Sequence, residues 1–169
     1  MCNRIVTGLL VLVLLIGLAL PGSLAGAQEA TPVGGTPVAA GELVREVLVE
    51  SAPEAAPGEA FQLVRYTVPA GLALPAHTHP GIQMNVIEAG ALTYYVVSGG
   101  EIVVHRADGS VETIGPGEST TIAEGDSFVE PAGMVHYGAN DTAEPVVILT
   151  AALLAADEPP STLVEEPAA

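Results

Sequence analysis

Lysine and tryptophan are missing from this 169-residue chain, phenylalanine occurs twice and cysteine once. The single Cys2 excludes any disulfide within the chain. It lies ahead of an apolar N-terminal run, and no cysteine follows that run, so a lipid-anchor site of the bacterial type is excluded too. Thiolate metal ligation is likewise excluded from everything beyond the leader. Positive charge is scarce: four arginines stand against 20 acidic residues, for a formal charge of −16 and a calculated pI near 4.2. A chain so acidic repels phosphate backbones and anionic membrane surfaces, which argues against nucleic acid as a partner and favours cations. The apolar run from Ile5 to Leu20 is short for a membrane span. The mean hydropathy of +0.49 owes much to that leader and does not mark a membrane protein.

Arg4, the run Ile5 to Leu20 and the small residues Ala25-Gly26-Ala27 form the three parts of a secretory signal peptide, expected over residues 1–27. An uncleaved anchor is the alternative. Export without disulfides suits a bacterial secreted protein with no membrane contact in its mature form. Residues 28–41, QEATPVGGTPVAAG, repeat Thr-Pro-Val and read as a flexible linker. Residues 42–156 are expected to form one domain. The acidic, proline-rich stretch 157–169 reads as a disordered tail.

The domain is expected to be all-β, with little or no helix. Val- and Leu-rich or alternating segments recur at 41–50, 61–68, 91–97, 101–106, 111–114, 119–123 and 145–154. Gly, Pro and Asp-Gly turn signals separate them every eight to twelve residues, and this spacing fits a sandwich or a barrel. In FQLVRYTV, the face carrying Gln62, Val64, Tyr66 and Val68 is the better core face.

Two stretches carry chemistry. GLALPAHTHPGIQMNVIEAG (71–90) holds His77 and His79, which share a face in an extended strand, an arrangement that suits a divalent metal. A pair of surface histidines on an edge strand is the bland reading of the same spacing. GDSFVEPAGMVHYGAN (125–140) adds His136. Together they give the bipartite pattern Gly71-x5-His77-x-His79-x3-Gln83-x6-Gly90 and Gly125-x5-Pro131-x-Gly133-x2-His136-x3-Asn140. This pattern resembles the cupin superfamily. The second half fits throughout; the first departs at Gln83, where the family usually has Glu. The resemblance implies a single antiparallel β-barrel of the double-sheet jelly-roll type, with His77, His79, Gln83 and His136 converging on one metal.

Three imidazoles and an oxygen donor suit Mn, Fe, Co, Ni, Cu or Zn. An amide at position 83 cancels no metal charge, so three readings stay open. Gln83 ligates, or it stands aside from a three-histidine centre with open positions, or the site has decayed. Glu88 and Glu130 are carboxylates near the motif, open to a role as an outer partner of the metal or as a general base, but the expectation is that both are solvated; His105 is expected to be an ordinary surface residue. Met84, Tyr66, Tyr95 and Tyr137 read as core or pocket lining. Asn140-Asp141-Thr142 matches a glycosylation acceptor formally, but Asn140 is also a motif position. The resemblance implies a metal-dependent activity on a small oxygen-bearing organic substrate, of dioxygenase, isomerase or lyase type, with no catalytic residue assignable. The alternatives are a non-catalytic metal or small-ligand binding protein, and a structural barrel forming a homodimer by edge-strand pairing.

Overall fold

A computed structural model describes residues 41–164. The expected signal peptide and nearly all of the expected linker lie outside these residues, as do positions 165–169. The described chain is all-β and contains no helix. Its strands are β1 (Val44–Ser51), β2 (Glu59–Val68), β3 (His77–Thr78), β4 (Gly81–Ala89), β5 (Ala91–Ser98) and β6 (Ile102–His105). They continue as β7 (Val111–Ile114), β8 (Ser119–Ala123), β9 (Ser127–Glu130), β10 (Val135–Ala139), β11 (Val146–Ala155) and β12 (Thr162–Leu163).

The strands form two antiparallel sheets of the jelly-roll type. One has the order β1-β2-β11-β4-β9-β6-β7 and the other β12-β3-β10-β5-β8. Strand parity builds the core. β11 alternates buried and half-buried residues along its whole length, and in β2 Val64 and Val68 turn inward while Phe61 stays exposed. Val68, Ile87, Ile102, Val104 and Phe128 from the first sheet meet Leu92, Tyr94, Val96 and Ile122 from the second in one apolar cluster. Successive side chains of a strand point to opposite faces, so each strand lends alternate residues to this cluster.

Several motif positions serve the fold rather than the site. Gly90 and Gly133 hold φ values of 81° and 72°, the left-handed region that side chains rarely adopt. Asn140 is buried and fully engaged. Its Nδ2 donates to the Val68 and Glu144 carbonyls, and its Oδ1 accepts from the backbone and hydroxyl of Thr142. Asp126 accepts from the Ala107 and Ala123 backbone N–H groups and from Arg106. Burial pushes the Asp126 carboxyl up, but these donors outweigh it and hold the group below its ordinary 3.8. A carboxylate depressed in this way stabilises the fold above its unfolded pKa and loses that contribution as pH falls through the folded value. Asp126→Asn is therefore expected to cost about 1–3 kcal/mol at pH 7, with the gap to the parent protein narrowing below about pH 4. Urea unfolding at both pH values checks this; equal stabilities at pH 7 count against it.

The tail departs from expectation. Asp157–Val164 is not a disordered extension: β12 pairs with β3, with Thr162 opposite Thr78 and Leu163 opposite His77. The short run Ser-Thr-Leu-Val supplies a β-compatible end to an otherwise acidic stretch. The open backbone edge of β3 gives it a partner over the two residues of that strand.

Candidate metal centre

The two histidine stretches meet through β3 and β10, whose one paired position is His136 opposite His77. His79 follows the end of β3, and its carbonyl accepts from the Gly133 N–H in the turn of the second motif. That bond ties the approach of one motif to the other. The ring centroids of His77, His79 and His136 lie 4.5–5.1 Å apart. One ligand atom from each of the three falls within 4.8 Å of the others, the only such group of three or more His, Cys, Asp or Glu among the described residues. His79 and His136 are buried and His77 half-buried.

Each imidazole spends its Nδ1 on a backbone carbonyl. His77 Nδ1 lies 2.8 Å from Pro75 O, His79 Nδ1 2.7 Å from Pro160 O, and His136 Nδ1 3.1 Å from Met134 O. A carbonyl only accepts, so Nδ1 carries the proton and donates. In the neutral ring the lone pair is then on Nε2, the state a metal ligand needs. Burial, the largest influence, holds both His77 and His79 below the ordinary 6.5 and so favours that neutral form. The Pro160 carbonyl belongs to the C-terminal segment, which composition had marked as outside the domain.

Glu130 overturns the expectation of a solvated side chain. It is 7% exposed, with Oε1 3.3 Å from His136 Nε2 and Oε2 3.8 Å from His79 Nε2. Tyr94 Oη donates to Glu130 Oε1 at 2.9 Å, and the Tyr94 ring stacks on His136 at 5.3 Å and 14°. Burial pushes the Glu130 carboxyl up, but His136, His79 and the Tyr94 hydroxyl together bring it below its ordinary 4.5. Burial and the neighbouring Glu130 push the Tyr94 phenol well up, so it remains a donor. Both residues were legible by parity alone: Glu130 is two residues from buried Phe128, and Tyr94 lies between buried Leu92 and Val96.

Gln83 lies in the same cavity, opposite Glu130 in the β4–β9 register, and is 2% exposed. Its Nε2 has no hydrogen-bond partner, and neither has Nδ2 of Asn85 two residues on. The cavity holds about 220 Å³ and continues past Tyr66, Leu74, Leu92, Phe128 and Ile148 to Arg45. Glu88 is exposed and paired with Arg65, and His105 is exposed on β6. Met84 is 60% exposed on the outer face, and Tyr95 stacks on Tyr137 away from the cavity lining.

Three imidazoles whose Nδ1 atoms are spent on backbone carbonyls, leaving Nε2 for a ligand, and an adjacent carboxylate form a donor set that fits a divalent transition ion. Residues 107–152 match the Cupin domain family, a stretch that includes His136 and Glu130 but not His77 and His79. No curated protein matches this sequence. Among solved structures, the chain is similar to a cupin superfamily protein from Desulfitobacterium hafniense DCB-2 at 12% identity, covering 67% of this chain and 78% of that one, with a TM-score of 0.47. It is similar to a recombinant oxalate oxidase in complex with glycolate at 16% identity, with coverage of 72% and 54% and a TM-score of 0.47. The DMSP lyase DddQ from Ruegeria pomeroyi DSS-3 aligns at 18% identity, with coverage of 72% and 51% and a TM-score of 0.44. The second motif lies inside the matched segment and the first meets it in space, so the chain is similar to cupin domain proteins over that stretch.

Proposed function

We propose that this protein is exported through its N-terminal leader and binds a divalent transition metal through His77, His79 and His136, where it acts on a small oxygen-bearing organic anion. The observation that carries the reading is the convergence of three imidazole ligand atoms within 4.8 Å in a cavity of small-molecule size. When bound, the ion supplies Lewis-acid or redox chemistry at a substrate oxygen. The chain's own residues do the rest. Leu74, Leu92, Phe128 and Ile148 exclude water, and the amide groups of Gln83 and Asn85 offer unclaimed donors.

Arg45 argues for negative charge on the substrate. Of the three arginines in the described residues, Arg65 and Arg106 have carboxylate partners and Arg45 has none among those residues. It donates instead to Tyr66 Oη and Gln62 Oε1, at the wall of the same cavity. A charge-assisted hydrogen bond is worth about 1.5–3 kcal/mol. In Co²⁺-loaded protein, small carboxylates are expected to shift the visible spectrum at lower concentration than neutral alcohols of equal size. Arg45→Met should weaken that response about tenfold or more. Equal responses to carboxylates and alcohols, or an unaffected Arg45→Met, would remove the anion from the proposal. Turnover assays of metal-loaded protein on the same carboxylates separate an enzyme from a binding protein.

The exposed apolar residues of the sheet edge, Val44, Val47, Leu48 and Val49 on β1, suit edge pairing in a homodimer. Sedimentation equilibrium reads that directly.

A further inference from the structure

We infer that Glu130, on β9, is the carboxylate of this metal centre, in the place that position 83 would otherwise hold on β4. The inference rests on the metal-binding reading above and goes beyond its three histidines. Gln83 and Glu130 are register partners in an antiparallel pair, so their side chains rise from the same face of the sheet. Only one of the two carries charge. Glu130 is the one whose oxygens lie 3.3 and 3.8 Å from the Nε2 atoms of His136 and His79.

The arrangement needs a positive charge. With every Nδ1 donating to a backbone carbonyl, each ring has its Nε2 left for another partner, and in His136 and His79 that atom faces a Glu130 oxygen. The carboxylate is buried, no arginine pairs with it among the described residues, and only the Tyr94 hydroxyl and the more distant Asn85 amide favour its charge as neutral donors. A buried carboxylate left in that state is costly. A divalent ion shared by the imidazoles and Glu130 satisfies both sets of lone pairs and leaves the centre with one net positive charge.

Tyr94 then has a positioning role: its hydroxyl holds Oε1 while its ring holds the plane of His136. Gln83 keeps its amide N–H groups free for an oxygen of whatever binds beside the ion.

The test uses the full chain and Co²⁺ and Zn²⁺ as probes, with affinity from calorimetry and the visible absorption of the Co²⁺ form as a second readout. Glu130→Gln, isosteric but neutral, is expected to lower affinity at least about tenfold and to change the Co²⁺ spectrum. Gln83→Ala is expected to stay within about threefold of the parent with the same spectrum. Parent affinity and spectrum in Glu130→Gln overturn the inference, and so does a loss in Gln83→Ala as large as in Glu130→Gln. Should circular dichroism show Glu130→Gln unfolded, Glu130→Asp decides. A changed Co²⁺ spectrum there supports the assignment, and a spectrum identical to the parent's overturns it. His77→Ala separates the two levels: if it keeps full affinity the metal reading itself fails, whereas a loss there with Glu130→Gln unaffected sinks only the present inference.

Discussion

His77→Ala and His136→Ala each lose divalent-ion affinity by more than about 100-fold, beyond the 10–100-fold that removing an outer partner costs. The reason is geometric. Three Nε2 lone pairs are aimed by three separate backbone carbonyls, at Pro75, Pro160 and Met134, so no neighbouring imidazole is free to replace a missing one. The fourth histidine, His105, is exposed on β6 and not part of the cluster. The two variants differ in what else they remove. His77 is half-buried, so its loss leaves most packing intact; His136 is 3% exposed and stacks on Tyr94, so its loss also opens a hole. Comparing them separates ligation from packing. A metal held a thousandfold below its working concentration adds about 4 kcal/mol of stability. That increment, read as a shift in thermal midpoint on adding Zn²⁺, should vanish in both variants. A retained shift in His77→Ala speaks against ligation by that residue.

Truncation after Ala156 is expected to lower metal affinity by about 10–100-fold, the range for losing a group that orients a ligand. The C-terminal segment contributes more than cover. Pro160 O accepts the His79 Nδ1–H at 2.7 Å, and β12 pairs with β3 beside His77. Pro160, Ser161 and Leu163 also form one wall of the cavity. Without them His79 is free to rotate and to exchange tautomers, and the ligand set opens to water. The barrel strands β2, β4 and β11 do not pair with the segment, so the truncated protein should still fold. Titration with Zn²⁺ checks this, and unchanged affinity would show that Pro160 does not orient the site.

The convergence of the three histidines was legible because their spacing survives folding: the two stretches are each local, and β10 brings them together through one register pair. The strands at 111–114 and 119–123 were legible because turn residues bound them tightly on both sides. Glu130 was expected to be solvated because a single glutamate in SFVE looks so by type, although its parity with Phe128 points it inward. Type and parity conflicted, and parity won because the imidazoles and Tyr94 compensate the buried charge. Tyr94 was hidden among three consecutive strand positions of similar character, where only alternation distinguishes it from Tyr95. The segment 157–164 was misread because composition reports average burial and not the presence of an open backbone edge on β3. Asn140, Gly90 and Gly133 matched the motif, but they shape the turns and loops around the site and hold no ion.

The account turns on one ion shared by imidazoles from two distant parts of the chain. Crystals of the protein grown with Co²⁺ or Zn²⁺ and measured at the metal's absorption edge locate it without reference to activity. The account predicts one anomalous peak about 2.0–2.2 Å from Nε2 of His77, His79 and His136. A fully occupied peak elsewhere, or none at those three nitrogens under saturating metal, contradicts it.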